Sequence, residues 1–513
     1  MADAAIPEAV PHCPTIAVLG SECAPGRIRR RMALRGAAGG LGLAAAAVLL
    51  AGCAPPVPAG TGPAARHGVQ TLTYAPWGQW TSISNWQQYM QPVLHRFEQA
   101  HPGVRVNPVA PTTGQYPAAI VAGSAPDVFS EYEIVPLLEG GLTMNLRPLL
   151  GRDNIPLTTW SPLQMDAFTT SRGIFFLPTY MNCGVYAINL GDLDARGLAY
   201  PDPSWTLAEA ESLFRAATWQ SAGKPHFGVA PSFNGQTLHP FADNPLPNNH
   251  FAVEIFGGAV MDGAQTGCTM ADPRVVQAVQ WWEALYWAGV AAPAGSPRTF
   301  PYVTFVETAS NGILNQAKTW LNKYKWTYFP VPGYPAGRKA WGGVQGHAIS
   351  LGTKYPEAAW TLLKFLDVDP WHQRYVMKLL LRPPSILALW SEFTQTLETV
   401  IPGLKGKGLQ WFAESAAHWS TPGRIFKYQP ITAATMIDAT MAGVYARKVG
   451  VATAMRSVSQ QVDALETAGA AALPPTYGLQ LIKAHQQDLS RINQMFAAAV
   501  DGHRSTDPQV ARP

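Results

Sequence analysis

The sequence predicts an α/β protein built on a parallel sheet. Three observations carry this. β-Rich alternating segments and helical stripes take turns from about Val69 to Ala499. Apolar residues make up 47% of the chain against 14% charged, so there is much to bury and little to repel. No repeat of fixed period and no long charge block interrupts the pattern. A chain of 513 residues is long enough for two or three separate cores.

The elements follow in order. Gln70 to Ala75 alternates apolar and polar residues and reads as a strand. Gln87 to Ala100 carries Met90, Val93, Leu94 and Phe97 at helical spacing, and His101-Pro102-Gly103 stops it. Val104 to Val106 is a second strand and Pro117 to Val121 a short helix. Gly123 to Pro126 turns the chain into a third strand, Asp127 to Phe129. Further on, Thr206 and Glu209 form a capping box for a helix reaching about Ala217. Asp272-Pro273 opens a helix through Trp282 to about Gly289, and Pro356 to Leu366 is another. Ala433 to Leu465 reads as nearly continuous helix, and a last helix spans about Tyr477 to Ala499.

The first 53 residues have a different logic. Arginines between Arg27 and Arg35 precede an apolar run from Gly36 to Leu50, which ends in small residues and Cys53. This is the layout of a signal peptide over 1–52. The run is Gly- and Ala-rich and shorter than the ~20 residues of a membrane span. Leu50-Ala51-Gly52-Cys53 resembles a bacterial lipobox, in which the cysteine is lipidated. Arg30-Arg31-Met32-Ala33-Leu34-Arg35 resembles a twin-arginine export signal, although the general secretory route fits as well. The Pro-, Gly- and Ala-rich stretch over 53–68 reads as a lipidated cysteine followed by a flexible tether. Cys183 and Cys268 remain in the body, and export to an oxidising space leaves open whether they pair.

Charge excludes one class of partner. The chain has 37 basic and 33 acidic residues, and without 1–52 it keeps 32 and 30. No basic field remains to attract nucleic acid. Seventeen tryptophans point to a large core or a stacking surface.

Several segments, in order, carry a family resemblance. They are Phe97 to Val106, Ala122 to Phe129, Gly140-Gly141-Leu142 with Asn145 to Leu149, and Phe176-Leu177-Pro178 through Asn189. Pro203 to Thr206, Gly342 to Ser350, and Pro356-Glu357-Ala358-Ala359-Trp360 complete the set. Together the chain resembles the extracellular solute-binding proteins of ABC importers, the family 1 group that includes maltose-binding protein. The stretch Thr308 to Ile313 departs from the family pattern, and Phe233 to His250 has no counterpart in it.

The resemblance implies a two-lobed periplasmic-binding-protein-like fold of type II, with an interlobe cleft and a helical C-terminal part. Lobe one is expected over 69–178 plus 346–382 and lobe two over 179–345 plus 383–500, with 501–513 as a disordered tail. It also implies a monomer without cofactor or metal, anchored at the outer face of the cytoplasmic membrane or in the periplasm. Its partners would be a small carbohydrate and the importer's permease subunits.

Sugars present apolar C–H faces and a rim of hydroxyls, so rings and planar polar groups suit them. In the first loop, Trp77 and Trp80 flank Gln79 directly after a strand. The loop after Phe129 offers Ser130, Glu131, Tyr132 and Glu133, and by position it resembles a ligand-contacting loop of the family; the two acids and Tyr132 are its candidates. The first crossing offers Tyr180 and Asn182, and the return crossing Gly343 and Gln345. Trp320 and Tyr428 complete the candidate ligand-binding set. Core packing is the competing reading for the tryptophans, as it is for Trp281 and Trp282.

Enzyme signatures are missing from the sequence. There is no Gly-x-Ser-x-Gly elbow and no His-Glu-x-x-His, and Gly403 to Gly408 lacks the Ser/Thr of a phosphate loop. Glu131 and Glu133 on one loop do not set the ~5–9 Å carboxyl separation that glycoside hydrolysis needs. The expectation is therefore reversible capture of a sugar or oligosaccharide. A polyamine or glycerol phosphodiester ligand is the first alternative and an anchored carbohydrate-active enzyme the second.

Overall fold

The structure is a computed structural model and describes residues 68–76, 83–109, 116–131, 142–170, 173–221, 223–230, 251–262, 267–293, 296–422 and 430–472. The leader, Cys53, most of the tether, the segment 231–250 and the expected helix after Tyr477 lie outside these residues.

The chain opens as expected. Strand β1 (Gln70–Ala75) pairs in parallel with β2 (Val104–Pro108) and with β3 (Val128–Glu131). The helix Ile83–Ala100 links β1 to β2 and starts a turn before Gln87. The apolar stripe beginning at Met90 marks its buried face rather than its first residue. Gly123, at φ 68°, makes the turn into β3, where a side chain would be strained.

A small hairpin, β4 (Thr169–Thr170) with β5 (Gly173–Ile174), precedes the long strand β6 (Leu177–Asn189). Then come β7 (Trp219–Ser221), β8 (Lys224–Ala230), β9 (Val303–Ala309), β10 (Trp326–Phe329), β11 (Ala340–Ile349) and β12 (Ser420–Pro422). Among the described residues the main sheet runs β2-β1-β3-β11-β6-β9-β8-β7, with β10 added beside β6 and β12 beside β11.

Two strands belong to both halves of this sheet. From Leu177 to Cys183, β6 lies antiparallel to β11. From Gly184 to Ile188 it pairs with β9, and from Tyr186 to Asn189 with β10. In turn, β11 pairs with β3 through Gly346 to Ile349. The β6–β11 register shifts between Gln345 and Gly346, a local irregularity of the kind that bends a strand. Gly346 permits the close approach: a Cβ there would lie 2.9 Å from both the Leu177 carbonyl and the Phe168 ring.

Separate cores follow from this arrangement. One joins Leu72, Val93, Phe97 and Val128 with Trp360, Leu363 and Leu366 of the helix Pro356–Asp367. Others cover the half containing β8 to β10, around Trp320, Trp326 and Tyr328 and around Trp205, Phe214 and Trp282. Burial there accounts for many of the tryptophans.

Local signals hold where they were specific. Thr206 Oγ1 accepts the Glu209 N–H while the Glu209 carboxylate accepts the Thr206 N–H at 2.7 Å, capping the helix Leu207–Ala216. Asp272 caps the helix Pro273–Trp287 by accepting the Arg274 N–H at 2.8 Å. The helix expected over Ala433 to Leu465 is two helices, Pro430–Tyr445 and Val451–Ala472. Arg447, at φ 55°, breaks it, and the N–H groups of Arg447 and Lys448 return to the Val444 and Gly443 carbonyls at 2.9 Å. The two cysteines are unpaired and buried in different cores. Cys183 Sγ donates to the Phe412 carbonyl at 3.1 Å.

Candidate functional site

Pairing of β3, β11 and β6 assembles the site. Register sets Gly343 opposite Asn182, Gln345 opposite Tyr180, and Gly346 opposite Glu131. Five of the expected ligand-binding residues, Glu131, Tyr180, Asn182, Gly343 and Gln345, thus lie on three neighbouring strands. Beside them is a small pocket open to solvent. Tyr74 and Ser130 line it at the ends of β1 and β3, Tyr180 and Gln345 on the crossing strands, and His372 and Gln373 on the helix Pro370–Leu380.

That helix is positioned by its own sequence. Asp369 caps it by accepting the Trp371 N–H at 2.8 Å, and Pro370 occupies the first turn. Leu381, at φ 50°, ends it and turns the chain back. Arg382 then reaches the Tyr180 hydroxyl at 3.3 Å, with its guanidinium 5.9 Å from the Tyr180 ring centroid.

Beneath the pocket are two chains of hydrogen bonds. In the first, His347 Nδ1 lies 2.9 Å and 3.0 Å from the Asp367 carboxylate oxygens. With the proton on Nδ1, His347 Nε2 accepts from the Tyr74 hydroxyl at 2.8 Å. Burial pushes the Asp367 carboxyl above its usual range, against the pull of His347. Burial also raises the Tyr74 phenol, and Asp367 adds to that. In the second chain, the Tyr180 hydroxyl donates to Asn182 Oδ1 at 2.6 Å, and the Ser310 hydroxyl reaches the same oxygen at 3.3 Å. Burial raises the Tyr180 phenol despite Arg382, so it stays neutral near pH 7.

His372 completes the electrostatics. Its Nδ1–H donates to the Leu366 carbonyl at 2.6 Å. Burial pushes the imidazole down to about 4 against that bond, with His347 lowering it further, so the ring is neutral near pH 7. The pocket therefore presents phenol, hydroxyl and amide groups, the neutral His372 imidazole and the Asp367-paired His347, with one guanidinium at its edge.

The other expected site residues divide in two. Trp320 is corrected from ligand contact to core. It is 4% exposed, its ring lies 4.4 Å from Phe300 and 5.3 Å from Trp326 between centroids, and its indole N–H donates to Thr299. An indole at the end of a helix with that many apolar neighbours has no face left for a sugar. Trp77, Gln79, Trp80, Tyr132, Glu133 and Tyr428 lie outside the described residues. Sequence reasoning missed Tyr74, His347, His372 and Gln373, and placed Ser130 in a contacting loop without giving it a role. The available signal was on the helix Pro370–Leu380, where polar His372 and Gln373 share a buried face with Met377.

The sequence profile of the bacterial extracellular solute-binding proteins matches residues 79–367. Solved structures match at low identity across most of the chain. The cyclic α-maltosyl-1,6-maltose binding protein from Arthrobacter globiformis is 16% identical with a TM-score of 0.63, covering 78% of this chain and 100% of that one. The sugar-binding protein MalE from Xanthomonas citri is 15% identical with a TM-score of 0.62, covering 78% and 98%. An ABC substrate-binding protein from Listeria monocytogenes, in complex with cycloalternan, is 16% identical with a TM-score of 0.58, covering 77% and 98%. None of the curated protein sequences matches the chain. The fold is the mixed α/β periplasmic-binding-protein fold, and the chain belongs to the bacterial extracellular solute-binding protein family, a non-enzymatic component of ABC transport.

Proposed function

From that membership, we propose that the protein captures a neutral sugar or oligosaccharide in an interlobe cleft and delivers it to the permease of an ABC importer. The observation that carries this is the convergence of Glu131, Tyr180, Asn182, Gly343 and Gln345 on the strands shared by both half-sheets. The carboxyl, phenol and amide groups there suit hydroxyls. The tryptophans of the first loop, Trp77 and Trp80, supply the stacking faces, with Gln79 between them. Tyr132, Glu133 and Tyr428 are the further contacts that this reading takes from the sequence. The sugars named for the matched proteins support the ligand class.

Closure follows from the connections. Lobe one comprises 69–178 plus 346–382 and lobe two 179–345 plus 383–500, so β6 and β11 cross between them. The register shift at Gln345/Gly346 supports a bend at the second crossing. Binding groups from both sides favour the closed form by their differential contacts. Export and lipidation at Cys53 hold this monomer at the outer face of the membrane.

A thermal-shift panel on the full chain tests the ligand. A ligand at a hundredfold excess over its Kd stabilises by about 2.7 kcal/mol. A neutral sugar is expected to raise Tm, with polyamines and phosphodiesters inert. Trp77→Ala is expected to remove most of that rise and leave the ligand-free Tm nearly unchanged; an intact rise places Trp77 outside the site. Cys53→Ser is expected to abolish partitioning into detergent, and unchanged partitioning contradicts the anchor.

One observation favours a second reading. Among the described residues no carboxylate pairs with Arg382, which suits a glycerol phosphodiester. In the same panel, that reading predicts that the phosphodiester gives the largest rise.

A further inference from the structure

Two fully buried side-chain atoms of the pocket-lining residues have no hydrogen-bond partner among the described residues: Ser130 Oγ and His372 Nε2. Ser130 is 1% exposed and His372 3%. Such atoms are costly to leave unmet. Their neighbours are already engaged. Tyr74 and Asp367 hold His347, Tyr180 donates to Asn182, and Gln373 accepts the Ser385 N–H at 3.0 Å. Ser130 Oγ and His372 Nε2 thus stand out as unmet among side chains of the lining that are held in place.

Their chemistry is specific. The partner of His372 Nδ1 is a carbonyl oxygen, which can only accept, so Nδ1 carries the proton. Nε2 of the neutral ring is then a bare acceptor. The Ser130 hydroxyl both gives and takes. A ligand hydroxyl donates to Nε2 and has lone pairs left for a donor. A deprotonated phosphate or carboxylate oxygen has no proton to offer and meets the Nε2 lone pair directly.

We propose that Ser130 and His372 form a hydroxyl-reading subsite that selects neutral sugars over deprotonated anions. This rests on the solute-binding reading above and narrows its ligand class. His372 was not expected from the sequence to touch ligand, and Ser130 was given no role of its own in the loop it opens. Leu366 and Asp369 fix the helix end that carries His372, and the pairing of Ser130 with His347 fixes β3 beside it.

Calorimetric titration of the full chain tests this. The probes are a panel of neutral mono- and oligosaccharides, their monodeoxy analogues, glucose 1-phosphate, a glycerophosphodiester and spermidine. The tightest ligand is expected to be a neutral sugar. Ser130→Ala and His372→Phe are each expected to weaken it by about five- to tenfold. A deoxy analogue lacking the hydroxyl that is read is expected to bind parent and variants alike, which a merely structural role does not produce. If His372→Phe fails to fold, Ser130→Ala decides alone, since it only removes an oxygen. Folded variants with parental affinity for every sugar overturn the subsite and leave the sugar reading standing. A parent protein that prefers the anion or spermidine, or binds no neutral sugar, overturns both.

Discussion

In the core around Trp320, polar side chains close on one another. The Trp320 indole donates to Thr299, the Tyr328 hydroxyl donates to Gln316 at 2.7 Å, and the Gln316 amide donates to Thr308. At the crossing, the same strand β6 carries Tyr180 into a pocket where Ser130 and His372 keep atoms without a protein partner. Both regions are buried, and both contain aromatic rings. The difference teaches that aromatic content does not locate a sugar site in this chain. Nor does unmet hydrogen-bonding capacity alone, since Trp326 Nε1 is also without a partner inside that core; what distinguishes Ser130 and His372 is that they line a pocket beside the strands both half-sheets share.

Substitutions that act on one region and spare the other sharpen this contrast. The largest effect is expected from Trp320→Ala, which should lower stability by about 3–5 kcal/mol through lost burial and a residual cavity. Its ligand-induced Tm rise should persist, because Trp320 is outside the pocket; denaturant titration with and without sugar checks both. Gly346→Ala comes next. Its Cβ meets the Leu177 carbonyl and the Phe168 ring at 2.9 Å, an overpacking that costs about 1–3 kcal/mol. Because the strain falls at the crossing, sugar affinity should fall along with stability, and calorimetry measures that loss.

The smallest effect concerns a buried acid of the second half. Glu307, opposite Tyr186 on β9, is 3% exposed, and neither carboxylate oxygen has a hydrogen-bond partner among the described residues. Burial pushes its carboxyl well above the usual range. An acid raised in the folded state contributes its stability fully below the unfolded carboxyl range. That contribution is lost as pH rises toward the folded value. Glu307→Gln should therefore add about 1 kcal/mol at pH 8 and flatten the decline between acid and neutral pH. Chemical denaturation across pH 4–8 checks it; a parallel decline in parent and variant contradicts the assignment.

Local signals were legible and long-range ones were not. The stripe Met90, Val93, Leu94, Phe97 and the capping pair Thr206 and Glu209 act within one or two turns, so the sequence displays them directly. The resemblance in Gly342 to Ser350 placed Gly343 and Gln345 on the strand that pairs with Tyr180 and Asn182. By contrast, the role of Trp320 depends on Phe300 and Trp326, which reach it only in the folded chain. His372 was obscure for the same reason. One polar residue on a helix says little until the Leu366 carbonyl accepts its Nδ1–H and leaves Nε2 without a partner. The break at Arg447 was hidden because a left-handed arginine carries no sequence mark comparable to glycine.

X-ray scattering of the full chain, alone and saturated with its tightest neutral sugar, tests the account most directly. Capture between two halves hinged on β6 and β11 predicts a smaller radius of gyration in the bound state, with the sugar recovered chemically intact. An unchanged radius at saturation, or a cleaved sugar, contradicts it.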